Sequence, residues 1–376
     1  MSILLLARRN LTRNRRGFAA SVIGVALALS LTLALDAIYT GVANGLTAYI
    51  DKAGADVWVS QAGVRNLHMV ASWMPDTVTA QVRAVAGVRD ATPALYATDT
   101  ISAGDERGVA YVIGLPGGAP VGGPWSMVEG AATAGRGTVV VDRGFAQRAG
   151  VGLGGEATVL GRVARIVGLS EGTASLLNSV AFVSLDDFRA ARSGAPVVSF
   201  VLVRTNLGAD VDRVAAAIER DVPGVTAQSR AGFADQERRL VMDMSADVIL
   251  IMDGVGFLVA LAVVALTVYV ATLARRREFG VLKAIGVPNG ALYATVLVQA
   301  VLTVSAGLIV AIALTASLAA IVPLAGLALQ PALSSASVVK AAAVGTLVAV
   351  LAALVPIRQV AAVDPAIVFR RGGTPR

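Results

Sequence analysis

The sequence predicts an α-helical membrane protein with four transmembrane helices and a large extracytoplasmic α+β domain between the first and second. Three observations predict it. Charged residues make up only 15% of the 376 residues while 56% are hydrophobic, well short of the roughly one-quarter charge of a soluble chain. The deficit is gathered into four long apolar runs. Between the first two runs lie about 200 residues with alternating and helical patterns, enough for a hydrophobic core of their own.

The first run, Phe18–Leu35, has 18 residues without a charge and continues past Asp36 to Val42. Its apolar stretch exceeds the h-region of a secretion signal, about 7–15 residues, and no clean A-x-A site follows it, so we read residues 18–42 as a span. The second span is Val248–Leu273 within a stalk-plus-span segment 246–273. The third is 291–322 and the fourth 338–355. Each meets the need for about 20 apolar residues.

Orientation follows from arginine and lysine near the span ends. Residues 1–17, the loop 274–290 and the tail 356–376 hold 13 basic residues against Glu278 and Asp364 alone. The loop between spans three and four, Pro323–Ser337, has no charge. Both termini and the 274–290 loop are therefore expected in the cytoplasm, and residues 43–245 outside it. That domain is nearly balanced, 18 basic against 20 acidic residues. The net charge of +7 is thus a topology signal and not a nucleic-acid footprint.

Two parts of the outer domain look alike. Ala55–Gln61 alternates as a strand, Asp76–Val85 reads as a helix, and Gly87-Val88 opens a second strand. Val197–Thr205, Ala209–Arg220 and Pro223-Gly224-Val225 repeat that order, with Asp210 at the helix start where a carboxylate suits the dipole. Two strand–helix–strand units, 55–103 and 197–230, predict a split ferredoxin-like layer. The glycine-rich insert 104–187 reads as mostly β, and Asp186-Asp187 as a helix N-terminus. From Phe233 to Met252 the pattern is helical with mixed charge and has no break before Gly254, so a stalk continuous with the second span is expected.

Chemistry-bearing constellations are scarce. Cysteine is absent, which excludes thiolate sites, and His68 is the one histidine, which leaves a histidine-built zinc site or a Ser-His-Asp triad close to untenable. His68 reads as a surface or pocket residue, with a Met/His cofactor contact to Met69 as the sharper alternative. Asp36 and Asp253 lie near the outer ends of their spans, where a carboxylate is either solvated at the interface or lines an outer gate. The three lysines, Lys52, Lys283 and Lys340, all lack a preceding glycine, so the sequence holds no GxxxxGK[ST] phosphate loop.

The loop RRREFGVLKAIGVPNG is the most informative stretch. Phe279, Leu282 and Ile285 recur at helical spacing, Gly286 can stop the helix, and Pro288 sits where the next can begin. A short amphipathic helix held between two spans suits either the lipid headgroup layer or a groove on a cytoplasmic partner. In the tail, Asp364-Pro365 can start another short helix.

RRREFGVLKAIG between spans two and three, AAVDPAIVFR after span four, and GGEATVLGRVARIVGL in the outer domain together resemble the permease subunits of the MacB/FtsX/LolC superfamily of ABC transporters. The likeness covers nearly the whole chain and is strongest over Asp247–Arg370. It implies a bacterial inner-membrane permease without enzymatic activity or bound cofactor, ATP being held by two copies of a separate ABC ATPase. It also implies a second copy of the chain or a close paralogue, contact with membrane lipids, an extracytoplasmic partner, and no nucleic acid. Glu278, Phe279, Leu282, Lys283, Ala284 and Gly286 are then the expected ATPase-coupling residues, and 1–17 resembles an amphipathic elbow. The implied work is transmission of ATPase motion to the outer domain, for export or extraction of a lipid-linked or hydrophobic substrate. Regulation of an extracellular partner without cargo is the alternative.

Overall fold

The structure, a computed structural model, describes residues 15–173, 179–192, 194–274, 276–324 and 331–361. The expected elbow up to Asn14 and the tail helix at Asp364-Pro365 lie outside the described residues. Two compact units divide the chain: one holds the spans, the other residues 41–244.

In the span unit, helix α1 (Arg15–Lys52) carries the first apolar stretch. Helices α6 (Arg230–Leu273), α8 (Asn289–Leu324) and α9 (Ser335–Ala361) carry the other three. All four are long and apolar enough to cross a bilayer. Their shared core is built from four-residue ridges: Val25, Leu29 and Leu33 on α1, Ala260, Val264 and Val268 on α6, and Leu292, Val296, Ala300 and Val304 on α8. From α9 come Ala341, Val348, Ala349, Ala352 and Ala353. Small residues dominate because helices in lipid gain by close backbone approach rather than by leaving water. Gly307 is the tightest case, since a Cβ there would stand 2.6 Å from Val25 Cγ1. The Ser334 hydroxyl caps α9 by accepting the Ser337 N–H at 3.0 Å.

The second unit is a mixed α+β domain. Strands β1 (Val57–Gln61), β3 (Val88–Ala103), β11 (Phe200–Thr205) and β12 (Val225–Ser229) pair in the order β12-β1-β11-β3, all antiparallel, while the short β2 (Met74–Pro75) and β10 (Val197–Val198) pair with each other. Helix α2 (Thr77–Arg83) follows β1 and α5 (Val211–Asp221) follows β11. This is the ferredoxin-like layer expected from the two repeated units. Asp210 caps α5, accepting from the Asp212 and Arg213 N–H groups. One sheet face packs Val57, Val59, Val201 and Val203 against Val78, Val82, Val214 and Ile218 of the two helices. The opposite face puts Trp58, Phe200 and Leu202 against Tyr49 and Ile50 of α1 and Phe233 and Ala234 of α6. The first helix therefore extends ten residues past Val42, because Tyr49 and Ile50 are core residues of this domain.

The insert is β-rich, as its pattern suggests, and its strands close on themselves. They are β4 (Glu106–Leu115), β5 (Met127–Gly130), β6 (Thr138–Asp142), β7 (Glu156–Val159), β8 (Arg162–Ser170) and β9 (Ser179–Ser184). Pairings run β3-β4-β9-β6-β8-β7 and return to β3 through Ile101 opposite Val159, a ring of six strands. Val112, Val139, Val141, Ile166 and Ala181 belong to its buried cluster, and α3 (Arg143–Arg148) and α4 (Leu185–Ala191) supply Phe145 and Phe188. Ser184 caps α4 ahead of Asp186 and Asp187, so the acid pair is a helix N-terminus.

Candidate functional sites

Helix α7 (Arg276–Ala284) occupies the loop between the second and third spans. Its end is a Schellman closure: the Val287 N–H donates to Leu282 O and the Gly286 N–H to Lys283 O, both at 3.0 Å. Gly286 takes φ +89°, open to glycine at no steric cost. Pro288 then leads directly into α8. The chain reverses in four residues, which fixes α7 between the two spans.

The apolar stripe read from the sequence divides between two environments. Phe279 is 4% exposed and belongs to the span core with Val268, Leu292 and Val296. Leu282 is half-buried against the same core, as is Val287. Ile285 is 72% exposed, and Glu278, Val281 and Ala284 are also exposed. Lys283 is half-buried and Gly286 exposed. Phe279 and Leu282 therefore seat the helix on its own bundle, while Glu278, Val281, Ala284 and Ile285 form its exposed face.

At the other end of the spans, Lys340 on α9 joins the two predicted aspartates. Its Nζ donates to Asp253 Oδ1 and Oδ2 at 2.9 and 2.7 Å and to Asp36 Oδ1 at 3.2 Å. Helix geometry puts the three at one depth. Asp36 is about 29 Å along α1 from Gly17, Asp253 about 30 Å from Leu273, and Lys340 about 27 Å from Arg358, at 1.5 Å per residue. Each distance is near the roughly 30 Å of a hydrocarbon core. An apolar crevice of about 280 Å³, lined by Leu33, Leu250, Phe257 and Val344 among others, opens beside the cluster. Sequence reasoning found both carboxylates and missed their shared cation. Lys340 falls three residues into the expected fourth span, and a lone charge at a span end reads as an interfacial anchor.

The second missed group lies in the α+β domain. Glu237, fully buried near the start of α6, accepts the Leu67 N–H on Oε2 at 2.7 Å and meets His68 Nδ1 through Oε1 at 2.7 Å. Its neighbours Asp235, Arg238 and Arg239 make the stretch read as a solvated face. The available signal was its i+3 and i+4 spacing from Ala234 and Phe233, both buried completely. His68 is a pocket residue, its ring 4.5 Å from that of Tyr111 and 5.9 Å from that of Tyr96. Among the described residues, no group of three or more His, Cys, Asp or Glu side chains forms a metal site.

Comparison with known proteins covers both units. Residues 18–221 match the family described as MacB-like periplasmic core domain, and residues 251–365 match FtsX-like permease C-terminal. The uncharacterized ABC transporter permease Rv2563 of Mycobacterium tuberculosis is 26% identical over 376 residues, covering 98% of this chain and 99% of its own. A second, Rv0072 of the same species, is 26% identical over 307 residues, covering 80% of this chain and 81% of its own. The crystal structure of the periplasmic region of MacB from Actinobacillus actinomycetemcomitans is 10% identical, with a TM-score of 0.39, over 49% of this chain and 92% of its own.

Proposed function

Since the chain belongs to the MacB/FtsX-type family of ABC transporter permeases, we propose that it is the transmembrane subunit of a transporter driven by a separate ATPase subunit. The observation that carries this reading is α7. Its apolar flank, Phe279 and Leu282, is committed to the span core, and Glu278, Val281, Ala284 and Ile285 stay open beside it. A helix seated in this way moves with the spans it joins. Force applied by an ATPase to its open face passes into α6 and α8 and is not lost in a flexible loop.

The basic residues at the N-terminus, around α7 and in the tail support a cytoplasmic placement of those segments, where an ATPase can reach them. The α+β domain then faces outward. Helix α6, unbroken from Arg230 to Leu273, is the element that would carry ATPase motion to that domain. Two ATPase subunits and two copies of this chain (or one and a close paralogue) complete the assembly. The work is export or extraction of a lipid-linked or hydrophobic substrate, taken from the membrane and acted on outside.

The test is ATP hydrolysis in nanodiscs by the chain co-expressed with its ATPase, compared with Ile285→Asp and Val281→Asp variants. Co-purification and ATPase activity in the wild type, lost in the exposed-face variants at unchanged thermal stability, are the expected results. A well-folded wild-type chain that neither binds nor stimulates an ATPase overturns the proposal.

A further inference from the structure

The single histidine stands on the wall of a cavity in the α+β domain. About 210 Å³ in volume, it is lined by Leu67, His68, Trp73, Tyr96, Thr98 and Phe200 among others. We infer that this cavity is a binding site for a single-ring aromatic group bearing an O–H or N–H donor, a phenol or an indole, whose donor is received by His68 Nε2.

Three observations converge on it. The His68 side chain is nine-tenths buried, at 10% exposure. Its Nδ1 lies 2.7 Å from Glu237 Oε1, while Glu237 Oε2 accepts the Leu67 N–H; an ionised carboxylate so placed only accepts. In the neutral ring this fixes the hydrogen on Nδ1 and leaves the lone pair on Nε2, in the way a carboxylate sets the tautomer of a metal-bound histidine. Among the described residues Nε2 has no hydrogen-bond partner, although its ring lines the cavity. Facing the cavity, this acceptor is open to a donor from a ligand, which would take the place of water there.

The walls specify the rest of the ligand. Trp73, Tyr96 and Phe200 present aromatic rings, which favour edge-to-face and offset contacts with another ring. Trp73 is half exposed at 48%, as are its neighbours Met69 and Val70, an apolar rim through which such a group enters. The volume falls below the roughly 300–1,000 Å³ of pockets that hold drug-sized molecules, so the cavity takes one ring, and the rest of any larger ligand lies outside the rim. A free phenol and the tyrosine side chain of a polypeptide share this chemistry. The inference stands on the domain alone and does not depend on the permease reading.

The chain offers its own reporter, since histidine occurs once. The full-length protein, purified in nanodiscs through a histidine-free tag and labelled with 15N-histidine, gives one imidazole to follow at pH 8. Titration with p-cresol is expected to shift Nε2 saturably toward a hydrogen-bonded value. Binding should be about five- to tenfold tighter than that of toluene, the worth of one net hydrogen bond, and Trp73→Ala should weaken it. A capped Gly-Tyr-Gly peptide that competes with p-cresol assigns the site to a polypeptide side chain, and one that does not assigns it to free phenols. Three results overturn the inference: no Nε2 shift at millimolar p-cresol, an equal shift with toluene, or a doubly protonated ring at pH 8.

Discussion

Lys340 Nζ lies 2.7 Å from Asp253 Oδ2 and makes a second bond to the same carboxylate, tying α9 to α6 at the span end remote from α7. Asp36 receives one longer bond from the same nitrogen. The three side chains are 41, 38 and 22% exposed, so solvent screens part of the attraction. The asymmetry sets the order of effects. Asp253→Asn should lower stability more than Asp36→Asn, each by about 1 kcal/mol or less. Lys340→Met should exceed both, because it leaves two carboxylates facing each other across the crevice. Thermal unfolding in detergent for the three variants checks the order, and equal effects of the two asparagines contradict it.

How much of this was legible beforehand differs between the units. The spans were, because length and hydropathy are local properties. The ferredoxin-like layer was also legible, since each strand–helix–strand unit carries its own period and the order β12-β1-β11-β3 follows from joining two such units. Ring closure of the insert was not. It depends on Ile101 and Ser102 of β3 meeting Val159 and Thr158 of β7, a pairing of distant segments for which no local pattern exists. The loop helix was legible as an element with its glycine stop. Which side faced inward was not, because Phe279, Leu282 and Ile285 are equivalent in the sequence and only packing separates them. Glu237 and Lys340 were missed for one reason: charge in a helix is read as solvated until a partner from elsewhere in the chain is known.

The division of the α7 stripe makes two substitutions separable. Phe279→Ala removes a core ring and should cost roughly 3 kcal/mol of stability. Ile285→Asp changes an exposed position and should leave the melting temperature within about a degree. Paired measurements of thermal unfolding and ATPase co-purification should find Phe279→Ala failing in the first and Ile285→Asp in the second. If Ile285→Asp unfolds the protein, the assignment of the open face is wrong.

Gly307 holds α8 against α1 so closely that a side chain there meets Val25 Cβ at 2.9 Å as well as Cγ1 at 2.6 Å. Neither atom can move freely, since Val25 is fully buried. Gly307→Val should therefore destabilise by about 1–3 kcal/mol. Val25→Ala in the same chain should recover part of the loss, because it clears the nearer contact. A double-mutant cycle on detergent-solubilised protein measures the coupling. Strict additivity would mean that the helices part and do not repack.

Tyr96 gives the α+β domain an alkaline limit. Loss of solvent around its hydroxyl raises its pKa above the usual tyrosine value, the bond with Thr98 lowers it, and the charges of Tyr111, Glu237 and Tyr49 raise it further. Below about pH 10, the value for an unfolded tyrosine, both states keep the proton and stability is complete. Above it the unfolded chain gives up the proton while the folded domain still holds it. Unfolding is then favoured by up to about 1.4 kcal/mol per pH unit for one such group. Tyr96→Phe removes the titrating hydroxyl and should flatten the fall in stability between pH 10 and 11 while leaving it almost unchanged at pH 8. Denaturant unfolding of the two proteins at pH 8, 10 and 11 reads the difference directly. Parallel losses in both would assign the alkaline limit to other tyrosines of the chain.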